Sequence, residues 1–143
     1  MKAMWKCARC GRRFANRNQS HFCSRHTLQE HLRGSNPHVI ALYRHFVKMV
    51  RRCGRVSILP EKTRIAFQVR MSFAVVSFRR DKLRGHLVLA RRIENPMFLS
   101  IETISPRNHV HSFELHSKSQ LDGEFLNFLS EAYRVGQQLH LKV

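Results

Sequence analysis

Four residues near the N-terminus have the chemistry and spacing of metal ligands. Cys7 and Cys10 form a CxxC pair, in which a tight turn brings two thiolates to one ion while backbone amides point at the sulfurs. His21 and Cys23 follow as an HxC pair after a gap of ten residues, and His26 is close enough to substitute for either. Sulfur-rich tetrahedral sites without an open position are typical of structural zinc, so the pattern predicts a zinc cofactor.

The basic residues around these ligands predict an anionic partner. The chain of 143 residues carries a net charge of +17, and self-repulsion of this size opposes folding unless a polyanion offsets it. Residues 1–55 hold 13 basic and 1 acidic residue, whereas residues 56–143 hold 13 basic and 8 acidic. We therefore expect nucleic acid, DNA or RNA, to contact the first third through its phosphates. The expected contacts are Arg9, Arg12, Arg13 and Arg17 beside the ligands, and Arg44, Lys48 and Arg51 along a helix.

A second pattern indicates an alternative function as an enzyme or a protein that binds a small anion. His109 and His111 alternate with Phe113 along a predicted strand, which usually means buried histidines whose hydrogen bonds are satisfied. The alternative is a site on the sheet around Lys62, Arg64, His109 and His111, in which His111 binds phosphate or transfers a proton. No converging carboxylates, nucleophile triad or phosphate-binding glycine loop accompanies them, so catalysis is the less favoured interpretation. A protein-interaction adaptor, with the metal fixing its surface, is a further alternative.

Local signals divide the chain into a zinc-binding module at 1–34 and an α+β domain at 35–143. Thr27 and Glu30 match a capping box that opens a short helix, which Gly34 ends. Pro37 begins a longer helix that runs to Cys53 and stops at Gly54. Its apolar positions recur at helical spacing and should face the core: Val39, Tyr43, Phe46 and Val50.

From residue 56 the apolar residues alternate with period two, which predicts strands. The expected strands are 56–59, 63–69, 71–78, 83–90, 98–104 and 109–115, with a polar turn at 79–82. Ser117 and Gln120 match a second capping box, which predicts the start of a final helix ending near Gly136. Its buried face should carry Leu121, Phe125, Phe128 and Ala132. The order of elements predicts helices packed on a mostly antiparallel sheet of five or six strands.

The remaining composition narrows the setting of the protein. No apolar run follows the basic N-terminus, so no secretory signal is predicted, and no segment has the length of a membrane span. Without a signal, a cytoplasmic location is expected, where four cysteines stay reduced and more often bind metal than form disulfides. Cys53 stands apart from the others and is interpreted as a small buried apolar residue.

Two resemblances add to this interpretation. The segment CARCGRRF resembles the first half of a Cys2His2 finger, but Asn18 and the HxC pair depart from that pattern, which argues against base reading by a finger helix. The chain also resembles the bacterial family DUF5655, a domain of unknown function, through the segments WKCARCGRRFANRNQSHFC, LPEKTRIAFQVRMSFAVVSFRRDKLRGHLVLARR, SPRNHVHSFELHS and LNFLSEAYRVGQQLHL. This resemblance implies an α+β domain, often beside a zinc-binding stretch, favours His21 and Cys23 as ligands, and implies no established activity.

Overall fold

The computed structural model describes residues 2–21, 23 and 25–141, and it has the predicted α+β fold. A small two-stranded sheet comes first, followed by two helices, a six-stranded sheet and a last helix. The strands are β1 (Trp5–Lys6), β2 (Arg13–Phe14), β3 (Ser57–Pro60), β4 (Ile65–Gln68), β5 (Ser72–Phe78), β6 (Leu83–Leu89), β7 (Ser100–Ser105) and β8 (Asn108–Leu115). The helices are α1 (Leu28–Leu32), α2 (Pro37–Cys53) and α3 (Gly123–Gly136), with 3-10 turns at Lys118–Gln120 and Leu139–Leu141.

The six-stranded sheet is antiparallel throughout, in the order β3-β4-β5-β6-β8-β7. Helices α2 and α3 cover one face, which we call the helix-covered face. Successive side chains of a strand point to opposite faces, so alternate residues of β8, beginning with His109 and His111, are buried there. We call the other face of the sheet the open face.

Helix α2 has the predicted bounds because its ends carry the predicted signals. The Asn36 side chain accepts a hydrogen bond from the His38 amide at 2.9 Å, and Pro37 needs no amide partner in the first turn. Gly54 follows the helix with φ at 148°, a conformation that favours glycine. The predicted apolar stripe is buried, and Phe46 packs against the rings of Phe67, Phe113 and Phe125.

Gly85 is the point of closest approach in the sheet. It lies on β6 between Val76 of β5 and Phe113 of β8. A Cβ at this position would lie 2.5 Å from the carbonyl oxygen of Val75 and 2.8 Å from Cζ of Phe113. The absence of a side chain therefore lets the Phe113 ring pack over β6 beneath the helices.

The prediction for the start of the last helix was wrong. Ser117 and Gln120 do form a capping box, but it closes the single 3-10 turn at Lys118–Gln120. Leu121 then leaves the helical region with ψ at 66°, and α3 begins only at Gly123. Asp122 is the N-cap, and its carboxylate accepts a hydrogen bond from the Phe125 amide at 2.9 Å. The four predicted core positions, Leu121, Phe125, Phe128 and Ala132, are buried as expected.

Two chain segments cover the ends of the open face. The first is residues 2–21, 23 and 25–26, which we call the module, and it docks beside β4, where Gln68 Nε2 donates to the Arg13 carbonyl at 2.7 Å. The second is the C-terminal turn Leu139–Leu141, whose His140 and Leu141 line a concavity with Val88 and Val110. Helix α1 packs against the main core through Leu28, and its His31 bonds to the Glu61 carbonyl. None of the described helices has the length and apolar character to cross a membrane.

Candidate metal centre and basic surface

The first two ligands lie in a tight turn between β1 and β2. Trp5 pairs with Phe14 and Lys6 with Arg13, so the strands close a short hairpin. Inside it the Cys7 amide donates to the Arg12 carbonyl and the Gly11 amide to the Cys7 carbonyl, both at 2.8 Å. Gly11 has φ at 75°, so the turn uses glycine where it needs a left-handed residue. This local geometry places both sulfurs on the same side of the hairpin.

The four predicted ligands converge on one point. The ligand atoms of Cys7, Cys10, His21 and Cys23 all lie within 4.8 Å of one another. The Cys7 and Cys23 sulfurs are 3.7 Å apart, and His21 Nε2 is 3.4 Å from both Cys10 Sγ and Cys23 Sγ. A tetrahedral ion with sulfur at about 2.3 Å and nitrogen at about 2.0 Å requires ligand separations of about 3.5 to 3.8 Å. The cluster therefore has the size and donor set to hold a metal ion.

The neighbours of His21 leave the correct nitrogen free for a metal. His21 Nδ1 donates to the Gln19 carbonyl at 2.6 Å, which leaves the Nε2 lone pair directed at the sulfurs. The imidazole ring packs against Phe14, with ring centroids 4.1 Å apart, and its edge meets Trp5. His26 is engaged elsewhere, because its Nδ1 bonds to the Glu30 carboxylate at 2.8 Å. The structure thus groups His21 with the three cysteines and leaves His26 outside.

Backbone amides favour the thiolate form at the first ligand. Hydrogen bonds from the amides of Cys10 and Arg9 lower the pKa of the Cys7 thiol to about 6. Burial, together with the nearby Cys7 sulfur, raises the pKa of the Cys23 thiol. Amides directed at one sulfur, and four ligands around one point, are features of sites that bind a cation. Arg25 also steadies the loop, since its Nη2 donates to the Cys10 carbonyl at 2.7 Å.

The predicted nucleic-acid contacts lie on two neighbouring surfaces. Arg9, Arg12, Arg13 and Arg17 belong to the module, while Arg44, Lys48 and Arg51 lie along α2. All except the half-buried Arg12 are exposed. A concavity of about 700 Å³ separates the C-terminal end of α2 from β3 and β4, and a second of about 290 Å³ lies between the module and the sheet. Gln68 lines both concavities, so Arg51 at the end of α2 and Arg12 of the module border adjoining concavities, whereas Arg44 and Lys48 line a separate one with Lys118.

Carboxylates compensate a different set of cations. In residues 56–141, Glu61 pairs with Arg64, Glu94 with Arg92, Glu114 with Lys82 and Arg84, and Glu131 with Arg91, and His116 lies 3.9 Å from Glu114. Residues 2–55 contain one acidic residue, Glu30, and it pairs with His26. The six exposed cations predicted to contact nucleic acid make no ion pair with any residue that the structure describes. Some cations of residues 56–141, including Arg79 and Arg80, are also without an ion pair to the described residues, but the net charge is larger in residues 1–55 (13 basic minus 1 acidic, +12) than in residues 56–143 (13 basic minus 8 acidic, +5).

The four residues of the alternative site are not brought into one pocket. His111 is fully buried on the helix-covered face, where Nδ1 donates to the His109 carbonyl and Nε2 accepts from the Ile93 amide, both at 2.9 Å. Burial lowers the pKa of His111, so its ring is a neutral core group. Arg64 faces the open side of the sheet and Lys62 is exposed in the β3–β4 connection. The alternation of side chains along a strand places His111 and Arg64 on opposite faces.

Two contributors to these surfaces, Gln68 and Arg25, were missed by sequence reasoning, and a third, Arg55, belongs to the basic stripe that the sequence predicts. Gln68 is 4% exposed and holds the module against the sheet through its hydrogen bond to Arg13. Arg55 lines the larger concavity with Arg51. Arg25 donates a hydrogen bond to the carbonyl of Cys10, one of the predicted ligands. No local motif marks Gln68, because its role depends on the docking of a segment 55 residues earlier in the chain. Arg55 was recognisable as a continuation of the basic stripe of α2 at helical spacing.

Comparison with known proteins identifies the main domain. Residues 28–136 match the family described as Domain of unknown function (DUF5655), and the chain belongs to this family. The matched range begins at the first residue of α1 and does not include the metal cluster. No curated protein and no solved structure matches the chain.

Proposed function

We propose that this protein binds nucleic acid through phosphate contacts on its basic surface, and that a structural zinc ion holds the module in place. The observation that carries the proposal is the excess of unpaired positive charge in the first third of the chain, where residues 1–55 hold 13 basic residues and 1 acidic residue. Carboxylates pair with some cations of residues 56–141, such as Arg84 and Arg91, whereas the exposed cations predicted to contact nucleic acid make no ion pair with the described residues. Uncompensated charge on one surface opposes folding unless an anionic partner neutralises it.

Zinc is the metal that the donor set favours. Three thiolates and one imidazole suit Zn²⁺, which has no geometric preference of its own and takes four such ligands in structural sites. The four ligand atoms surround one point, leaving no protein-directed position for a reactive water. The role we assign to zinc is structural: Cys7, Cys10, His21 and Cys23 would hold it, and it would link the hairpin to the following loop.

The arrangement of the two basic surfaces favours a long, flexible polyanion. Arg44, Lys48 and Arg51 follow one another at successive turns of α2, and Arg51 borders the concavity that reaches Gln68. On the other side of Gln68 lies the module with Arg13. A phosphate backbone repeats its charge at regular intervals and could contact both surfaces at once. A small anion would meet only one of them.

The module lacks the element that reads bases in a zinc finger. Its described residues before α1 form a hairpin and loops, with no helix between the two ligand pairs. Sequence readout in the major groove usually requires a helix or a β-ribbon that reaches the base edges. We therefore expect binding with little dependence on sequence, dominated by counterion release.

Salt dependence with two matched triple variants tests this proposal. Binding of labelled single strands and duplexes to the zinc-loaded protein is measured by fluorescence anisotropy between about 50 and about 200 mM salt. We expect R44Q/K48Q/R51Q to weaken binding and reduce the magnitude of the salt slope by about 3, since each lost phosphate contact removes about 1. The control K82Q/R91Q/R92Q removes the same charge from ion-paired positions and should bind like the parent.

Two outcomes would contradict the proposal. Affinity that barely changes with salt would mean that phosphate contacts do not drive binding. An equal loss in both triple variants would mean that net charge alone matters and that the surface on α2 has no special role. Loss confined to R44Q/K48Q/R51Q, with the thermal transition unchanged, supports the assignment of the surface.

A further inference from the structure

The open face of the sheet contains a concavity that the proposed nucleic-acid surface does not use. It has a volume of about 390 Å³ and lies towards the end of β5 and the start of β6, beside β7 and β8. Its polar lining comes from four different strands and the turns beside them. These residues are Arg64, Ser77, Arg79, Arg84, His86, Ser100 and Ser112.

The strand register places the polar residues in two adjacent rows. In the first row His86 is paired with Val75 on one side and Ser112 on the other, and Ser112 is paired with Ser100. In the second row Ser77 is paired with Arg84. Cβ atoms of directly paired residues are about 4.5 to 5.5 Å apart. The hydroxyl, imidazole and guanidinium groups therefore converge on the same region.

The lining carries positive charge and includes no Asp or Glu side chain. Arg64 uses Nε to bond Glu61 at 2.7 Å, and Arg84 uses Nε and Nη2 to bond Glu114 at 3.1 and 2.8 Å. These bonds fix both guanidinium groups and leave Arg64 Nη1 and Nη2 and Arg84 Nη1 as donors. Arg79 makes no ion pair with the residues described, and its backbone is fixed by a hydrogen bond from its amide to Lys82.

His86 occupies the middle of this lining as a neutral ring. Burial, followed by the positive charge of Arg64, lowers the pKa of His86 to about 4. No described residue hydrogen-bonds to its imidazole, unlike His109 and His111 on the other face. A half-buried polar ring without a protein partner is available to a ligand.

We propose that this concavity binds the phosphate monoester of a nucleotide-sized organic molecule. Guanidinium groups bind phosphate oxygens through paired N–H donors, and the serine hydroxyls and the His86 ring supply further hydrogen bonds. The volume exceeds that of phosphate alone and falls in the range of small-ligand sites. Val75 and Leu99 provide apolar surface for the rest of the molecule, and Leu99 is 63% exposed at the rim.

Calorimetric titration of the zinc-loaded protein with adenosine 5′-monophosphate tests the site, with adenosine as the uncharged control. We expect the monophosphate to bind and adenosine to bind much more weakly. Arg79→Gln should lower affinity about 10-fold, as expected for loss of one charge-assisted hydrogen bond. The matched control Arg80→Gln removes the same charge from the same turn but from a residue outside the concavity. Equal affinity of the two variants would overturn the proposal.

A phosphate monoester could belong to a free molecule or to the end of a nucleic acid strand. Short oligonucleotides with and without a 5′ phosphate, compared by anisotropy, distinguish these sources. Tighter binding of the phosphorylated strand that Arg79→Gln abolishes supports a strand end as the ligand. Binding of the mononucleotide without such a gain supports a free molecule. If neither probe responds to Arg79→Gln, the proposal fails, and R44Q/K48Q/R51Q reports separately on the proposed nucleic-acid surface.

Discussion

The module and the sheet domain hold their chains together by different means. The sheet domain, which we define as α2, α3 and the six-stranded sheet, buries an extended apolar core between the two helices and one face of the sheet, including Phe46, Phe67, Phe113 and Phe125. The buried cluster of the module consists of Cys7, Cys10 and Phe14, with Trp5 and Cys23 packed against it. Burial of apolar surface is the main favourable term in folding. The module lacks enough of it, and a metal ion would provide the missing stabilisation.

The same two regions differ in the ion pairing of their arginine side chains. Arg84 and Arg91 of the sheet domain pair with carboxylates, which hold their side chains to the surface. Arg9, Arg13 and Arg17 of the module are exposed and make no ion pair with the described residues. Arg44, Lys48 and Arg51 on α2 are also exposed and make no ion pair with the described residues, so α2 resembles the module in presenting positive charge to solvent.

Removal of the metal should produce the largest difference between the regions. Chelation, or Cys10→Ser, should abolish metal binding and unfold the module, because structural zinc supplies about 10 to 16 kcal/mol of apparent binding energy in small zinc domains. Trp5 is the single tryptophan and contacts Phe14 and His21, so its fluorescence reports the module alone. Circular dichroism should show the main thermal transition of the sheet domain nearly unchanged.

Cys53→Ser is the matched control for the metal experiment. Cys53 lies at the end of α2, with its sulfur 3.8 Å from Ser130 Oγ and away from the metal cluster. This variant should keep one metal ion per chain and the native fluorescence of Trp5. Loss of the main thermal transition on chelation would contradict the proposed independence of the two regions.

A substitution in the sheet should destabilise the sheet domain and leave metal binding by the module unchanged. Gly85→Ala places a Cβ 2.5 Å from the backbone oxygen of Val75, which cannot move without disturbing β5. We expect a loss of about 1 to 3 kcal/mol in the free energy of unfolding, as for other overpacked cores. Urea denaturation measures the loss, and metal content should stay the same. Gly123→Ala is the control, because its added Cβ meets no heavy atom within 4 Å beyond its chain neighbours and its own helix; equal stability of the two variants would refute the packing argument.

Acid should weaken the sheet domain by a smaller amount. The pKa of His86 is about 4 in the folded protein and has a reference value of 6.5, so the folded state disfavours the charged ring. The contribution of the neutral His86 ring to the free energy of unfolding is fully present above about pH 6.5 and is lost as the pH falls towards about 4. Unfolding free energies at about pH 7.5 and about pH 5 should differ less in His86→Gln, by on the order of 1 kcal/mol. An unchanged difference would mean that other groups set the acid sensitivity.

Much of the fold and part of the candidate site could be predicted because their signals are local. The CxxC and HxC spacings identified the four clustered ligands, and Asn36, Pro37 and Gly54 marked the ends of α2. The alternation of apolar residues identified the strands, with ends that shifted by one or two residues. A cap or a turn is decided within a few residues, so the sequence contains the information directly.

Tertiary structure decided what depends on residues far apart. Two capping patterns competed near the last helix, and Asp122 opens it because Leu121 turns its side chain into the core. His26 was an alternative ligand until its pairing with Glu30 left Cys23 beside His21. The concavity around His86 has no signature in the sequence, since its residues come from separate strands. The strand register and the docking of the module result from packing between residues far apart in the sequence. Side chains therefore meet because of their positions in the sheet, which their spacing along the chain does not reveal.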